Sequence, residues 1–154
     1  ISTPIQKRLD LKFRKVRDIQ DIFVVGRKFR ELANRRLQYK ELEQLPLMCL
    51  EGNTSTRAYV EAFLRENGVR LLPEFELATS EMLVQFAMKG FGVASVVEDF
   101  AKKAMEEGEV FSLHFEKEIP KRHFCIVTDE KVPMSAAARK FLDFLEEGEE
   151  VFGS

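Results

Sequence analysis

Leu50-Glu51-Gly52-Asn53-Thr54-Ser55-Thr56-Arg57-Ala58-Tyr59 decides the fold class when read with the stretch Ala78-Thr79-Ser80-Glu81-Met82-Leu83-Val84-Gln85-Phe86-Ala87-Met88-Lys89-Gly90-Phe91-Gly92-Val93-Ala94. In each, a strand-like end runs into small hydroxyl and amide residues, and an amphipathic helix follows. A helix N-terminus presents backbone N–H groups without intrahelical partners and a partial positive charge, so such a junction can hold a small anion. Two junctions of this kind in one α/β layer point to a receptor for a small, carboxylate-bearing molecule.

Working outward, the apolar β-branched and aromatic run Ile19–Val25, closed by Gly26, reads as a buried strand. Leu32–Leu45 reads as a polar loop with a short helix at Tyr39–Gln44, ended by Pro46, and Leu47–Leu50 as a short strand. Thr56–Glu66 carries Tyr59, Val60, Phe63 and Leu64 at helical spacing, with Thr54 or Ser55 as N-cap and Asn67-Gly68 as its stop. Phe75–Ala78 reads as a strand. A helix capped by Thr79 or Ser80 then runs to Lys89, and Gly90 stops it. Val93–Val97 is a further buried strand, and Glu98–Glu107 a helix whose acidic start suits its dipole. Val110–Phe115 and His123–Thr128 read as strands, Ser135 caps a last helix, and the acidic tail Glu146–Ser154 is expected to be loose. Strands alternating with helices of this length predict an α/β fold with a mainly parallel sheet.

The composition, 45% apolar and 32% charged, is that of a globular chain, and 154 residues fit one domain. A net charge of −2 hides an asymmetry. Residues 1–40 hold 12 Lys/Arg against 4 Asp/Glu, and the remainder 12 against 22. A basic segment can touch nucleic acid, but here the charges alternate with Leu11, Phe13, Val16 and Ile19, the pattern of solvated positions flanking strands. No apolar run approaches the roughly 18 residues that span a bilayer, so no membrane location is expected. Cys49 and Cys125 lack CxxC spacing and are flanked by apolar residues, which reads as buried free thiols and a reducing, cytoplasmic setting. Ile1-Ser2-Thr3-Pro4 reads as the end of a strand entering a turn, so further sequence is expected upstream.

Catalytic machinery is not apparent. His114, in Ser112-Leu113-His114-Phe115, has no ligand or base partner at useful spacing and reads as a strand histidine with a satisfied ring. His123 reads as a surface or hinge residue. Gly90-Phe91-Gly92 follows a helix, whereas a dinucleotide fingerprint lies between a strand and the helix after it. The glycines read instead as a C-cap and a tight turn into the next strand. Gly52–Thr56 lacks the lysine of a P-loop. Plain N-capping would account for one hydroxyl there, and the surplus argues for a ligand. No enzyme, metal or cofactor is expected.

In these motifs the chain resembles the effector-binding domain of LysR-type transcriptional regulators, whose fold is that of type 2 periplasmic binding proteins. Ile1-Ser2-Thr3-Pro4 is similar to the end of the family's "D-x-x-I" strand, and Gly52–Arg57 to its "x-S-S-T-R" helix start. Leu83–Val96 is similar to "V-x-x-G-x-G-I-A-x-L-P", and Ser135–Leu145 to its closing helix. Val96-Val97 departs from the pattern where the family has proline. The resemblance implies a Rossmann-like subdomain with a hinge and part of a second subdomain. Residues 1–25 would be a partial first subdomain and first hinge strand, and 26–122 the complete second subdomain. Residues 123–148 would be the second hinge strand and closing helix, and 149–154 a loose tail. It further implies a small organic-anion effector held in the cleft between subdomains, a homodimer or tetramer, and DNA contact only through a separate helix-turn-helix domain. Thr54, Ser55 and Thr56, with Asn53, would meet the effector, and Ser2 and Thr3 would approach from the opposite wall. Gln85 would reach the effector or else face solvent. The rivals are a transporter's solute-binding protein and an enzyme on the same bilobal fold.

Overall fold

The structure, a computed structural model, describes residues 11–129. Two compact units are present: Gln20–Pro120 forms one, and the two strands β1 (Leu11–Ile19) and β9 (Arg122–Asp129) belong to the other. In the second of these, β1 and β9 pair antiparallel from Leu11↔Asp129 to Ile19↔Arg122, with an irregularity between Lys15 and Arg17. The expected helix at Ser135–Leu145, the acidic tail, and Ser2 and Thr3 lie outside the described residues.

The larger unit is built on a five-stranded sheet of β2 (Asp21–Gly26), β4 (Leu47–Leu50), β5 (Phe75–Leu77), β6 (Val93–Val97) and β7 (Val110–Ser112), in the order β5-β4-β6-β2-β7. A short parallel pair, β3 (Arg36–Leu37) with β8 (His114–Phe115), lies apart from it. The helices are α1 (Ser55–Glu66), α2 (Ser80–Met88) and α3 (Glu98–Glu106). Strand periodicity sorts the core to two faces. Phe23 and Val25 of β2, with Leu47 and Cys49 of β4, join Val60, Phe63 and Leu64 of α1 on one face. The intervening Val24 and Met48, with Ala94 and Val96, join Leu83, Val84 and Ala87 of α2 and Ala101 and Ala104 of α3 on the other. Every residue of β6 is buried, as in a strand covered on both sides.

β4 runs parallel to both β5 and β6, while β2 is antiparallel to its neighbours β6 and β7. The mainly parallel sheet therefore holds for strand direction with β2 reversed, because β2 enters from outside the βαβ series. Two further sequence expectations change. The strand expected over Ile19–Val25 breaks at Gln20, whose carbonyl accepts the Glu98 N–H at 2.8 Å and whose side-chain amide donates to the carbonyls of Asp21 and Ile119. The strand expected over Val110–Phe115 divides at Leu113, beyond which His114 and Phe115 pair with β3 instead. Arg27–Asn34 forms a 3-10 helix, kinked at Phe29, where no helix was expected. Its Phe29, Leu32 and Ala33 pack against the α1-side core although the segment is polar overall.

Gly26, the last residue of β2, leaves no room for a side chain: a Cβ there would lie 2.1 Å from the Ala87 carbonyl oxygen of α2. Tyr39, at the start of the expected short helix Tyr39–Gln44, stacks on Phe115 at 4.1 Å between centroids and packs edge-on against Phe63 at 5.1 Å. Its hydroxyl donates to the Lys117 carbonyl, and burial pushes its pKa up to about 12.

Candidate functional site: the helix starts at one sheet edge

Because β4, β5 and β6 are parallel, their C-terminal ends share one edge of the sheet, and α1, α2 and α3 all start there. The chain leaves β4 through α1 to the outer strand β5, then returns past β4 through α2 to β6. Right-handed crossovers in opposite directions put their helices on opposite faces, as α1 and α2 are. The neighbours β4 and β6 thus send their following helices, α1 and α3, to different faces. This is a topological switch point, where open α/β sheets hold ligands beyond the strand ends.

The three helix starts differ in charge. α3 has Glu98 and Asp99 in its first turn, and α2 has Glu81, so carboxylates of the chain already answer those dipoles. The first turn of α1 carries no acidic residue. Thr54 is its N-cap: the hydroxyl accepts the Arg57 N–H at 3.1 Å and donates its single proton to the Glu51 carbonyl at 3.2 Å. The Thr54 hydroxyl therefore shapes the turn and has no further proton to give a carboxylate. Asn53 and Ser55 are exposed, and Thr56 is partly buried. Of the second junction, Thr79 is the cap, accepting the Met82 N–H at 3.2 Å.

Gln85 is exposed on α2, across the sheet from α1 and about 8 Å of helical rise from the start of its own helix. Met82 is exposed at 40%, whereas Met88 is partly buried against the α2-side core. Leu72, Phe75 and Phe91 are also exposed, and Phe75, Phe86 and Phe91 make mutual ring contacts at 5.2–6.5 Å beside the outer strand β5.

Arg57, the last residue of the hydroxyl motif, was not singled out as a site residue from the sequence. Its Nη1 donates to the Leu50 carbonyl at 3.0 Å and to Glu76 Oε1 at 2.7 Å, and its Nε to Glu61 Oε2 at 3.2 Å. Burial opposes its charge, yet the bond to Glu76 and the field of both carboxylates leave its pKa above the ordinary arginine value. The i, i+4 spacing of Arg57 and Glu61 on α1 is readable in the sequence, but Glu76 comes from β5, distant in the chain.

Cys49 is a buried free thiol, with its pKa pushed by burial up to about 11. His114 is exposed on β8, so water can serve its ring. His123 is exposed and holds Asp18 Oδ1 2.7 Å from its Nδ1, a cross-strand pair in the β1–β9 ladder. Among the described residues no group of three or more His, Cys, Asp or Glu is placed to hold a metal ion, and no helix is long and apolar enough to cross a membrane.

An α/β unit with three helix starts converging on a switch point defines a class of small-ligand-binding domain. The chain belongs to the LysR substrate binding domain family, whose model matches residues 1–149. It is 24% identical over 139 residues to the HTH-type transcriptional activator CmpR of Synechocystis sp., a match covering 89% of this chain and 45% of CmpR. The chain thus spans less than half the length of that curated relative. The regulatory domain of CcmR from Synechocystis, solved in complex with 2-PG, superposes with a TM-score of 0.76 at 18% identity, covering all of this chain and 74% of that one. The effector binding domain of QuiR in complex with shikimate gives 0.68 at 14% identity, covering 97% and 71%. The CrgA regulatory domain of Neisseria meningitidis gives 0.64 at 18%, covering 95% and 72%. These structural likenesses establish the fold as that of LysR-type regulatory domains.

Proposed function

We propose that this chain is the effector-sensing part of a LysR-type transcriptional regulator and that its effector is a small organic anion met by the N-terminus of α1. The observation that carries the reading is the α1 start. It lies at the switch point, it alone of the three helix starts has no acidic residue in its first turn, and it opens in exposed Asn53 and Ser55. The Arg57 amide is taken by the cap, so the anion would address the Ser55 amide and the Ser55 hydroxyl. Hydrogen bonds to a charged group contribute on the order of 1.5–3 kcal/mol each. Thr54 serves this site by fixing the turn, Ser2 and Thr3 would add contacts of their own, and Gln85 enters for a ligand long enough to reach along α2. That two structural neighbours were solved with 2-PG and shikimate supports the small-molecule class.

In this reading the effector alters how a separate DNA-binding domain holds its operator, by favouring one of two conformations of the regulator. The chain turns over no substrate, works in the cytoplasm and assembles with further copies, with exposed Met82 of α2 among the contacts. A thermal-shift screen of small carboxylates and phosphate esters, followed by calorimetry, tests the proposal. A stabilising anion whose affinity falls in Ser55→Ala is expected. Tight binding of a cationic or neutral compound unaffected by that change would overturn it.

A further inference from the structure

We propose that Arg57 is the positioning residue of the α1 rim, holding the loop Glu51–Thr54 in place and cancelling a carboxylate that would otherwise repel an anionic effector. The inference rests on the effector-binding reading above and adds to it the residue that makes the rim receptive. Three observations meet at this guanidinium. It binds the last carbonyl of β4, at Leu50, just where the chain leaves the sheet for the loop. It holds Glu76 of β5 at 2.7 Å. And the pair stands next to the loop itself, since a Cβ on Gly52 would lie 3.9 Å from Arg57 Nη1 and 4.0 Å from Glu76 Oε1.

The side chain of Arg57 is only 11% exposed, while those of its partners Glu61 and Glu76 are 43% and 49% exposed. The cation is thus the buried member and the two carboxylates the solvent-facing ones. Glu51, Glu61 and Glu76 all belong to this end of the unit, and Arg57 is the cation paired with two of them. Without Arg57 the α1 dipole would face unbalanced negative charge, and the Leu50 carbonyl would lose its side-chain donor.

Inorganic phosphate, titrated into the full 154-residue chain while backbone amide resonances are followed, separates charge balance from mere support of the fold. Saturable shifts at the Ser55 amide are expected in the parent protein. Glu76→Gln should tighten phosphate roughly threefold and Arg57→Gln weaken it roughly tenfold. The double variant Arg57→Gln/Glu76→Gln should bind phosphate only about threefold more weakly than the parent, although its melting temperature, lacking the guanidinium fork, stays low. Recovery of affinity without recovery of stability is the signature of charge balance. Should Arg57→Gln not fold, Glu76→Gln and the charge-keeping Arg57→Lys carry the same test, with phosphate affinity kept in the lysine variant. Phosphate shifts at Ser55 that ignore both single changes would overturn the role of Arg57 alone. Absence of shifts at that amide in the parent protein would overturn the rim reading and this inference with it.

Discussion

Replacing Thr54 by alanine tests whether its hydroxyl is spent on the fold or offered to a ligand. The substitution removes the acceptor of the Arg57 N–H at 3.1 Å and the donor to the Glu51 carbonyl at 3.2 Å. Loss of a threonine cap costs about 1 kcal/mol. The second bond adds only about 0.5 kcal/mol, because the Glu51 carbonyl still accepts the Thr54 N–H at 3.3 Å and is not orphaned. For a chain of this size about 1.5 kcal/mol lowers the melting temperature by roughly 3–6 °C. Circular dichroism melting of Thr54→Ala, Thr54→Ser and Ser55→Ala, with hydrogen exchange at the Arg57 amide, reads the outcome. Thr54→Ala should melt lower and expose the Arg57 amide, Thr54→Ser should stay close to the parent protein, and Ser55→Ala should change stability by less than about 0.5 kcal/mol. Thr54→Ala melting like the parent, or Thr54→Ser falling as far as alanine, would refute the capping argument.

Gly92 has φ +156 and would carry a Cβ 2.3 Å from the Pro46 carbonyl oxygen, which also accepts the Val93 N–H at 2.8 Å. Gly92→Ala should therefore cost roughly 3 kcal/mol or more and show as loss of soluble folded protein or a collapsed amide spectrum. Cys49 in a Cys125→Ser background should resist iodoacetamide at pH 8 until denaturant is added. Its folded pKa of about 11 lies above the ordinary thiol value of 9.0, so its contribution to stability is full below about pH 9 and is lost as pH rises through about 11. Tyr39, raised from 10.0 to about 12, acts in the same direction one pH unit higher, so urea midpoints should fall steadily above pH 9.

Much of the fold was legible because its elements announce themselves locally. Leu47–Leu50 and Val93–Val97 are apolar runs between breakers, and both fall where the sequence puts them. The hydroxyl and glycine ends of α1 and α2 match to within a residue. What was not legible depends on partners distant in the chain. The break at Gln20 is set by Glu98 and Ile119, and the division at Leu113 by β3. The 3-10 helix Arg27–Asn34 is polar in composition and held by the few apolar residues that reach the core. At the site, the sequence singled out a cluster of hydroxyls but could not divide their labour. Only the hydrogen bonds of Thr54 assign it to capping, and only the packing of β5 beside β4 brings Glu76 to Arg57.

A crystal structure of the protein with the most strongly stabilising organic anion would show whether the N-terminus of α1 receives a small anionic effector. An acidic group of that ligand is expected about 3 Å from the Ser55 backbone nitrogen, within reach of the Ser55 hydroxyl, with the Thr54 hydroxyl still bonded to Glu51 and Arg57. The ligand bound with its acidic group elsewhere, and the α1 start open to water, would contradict it.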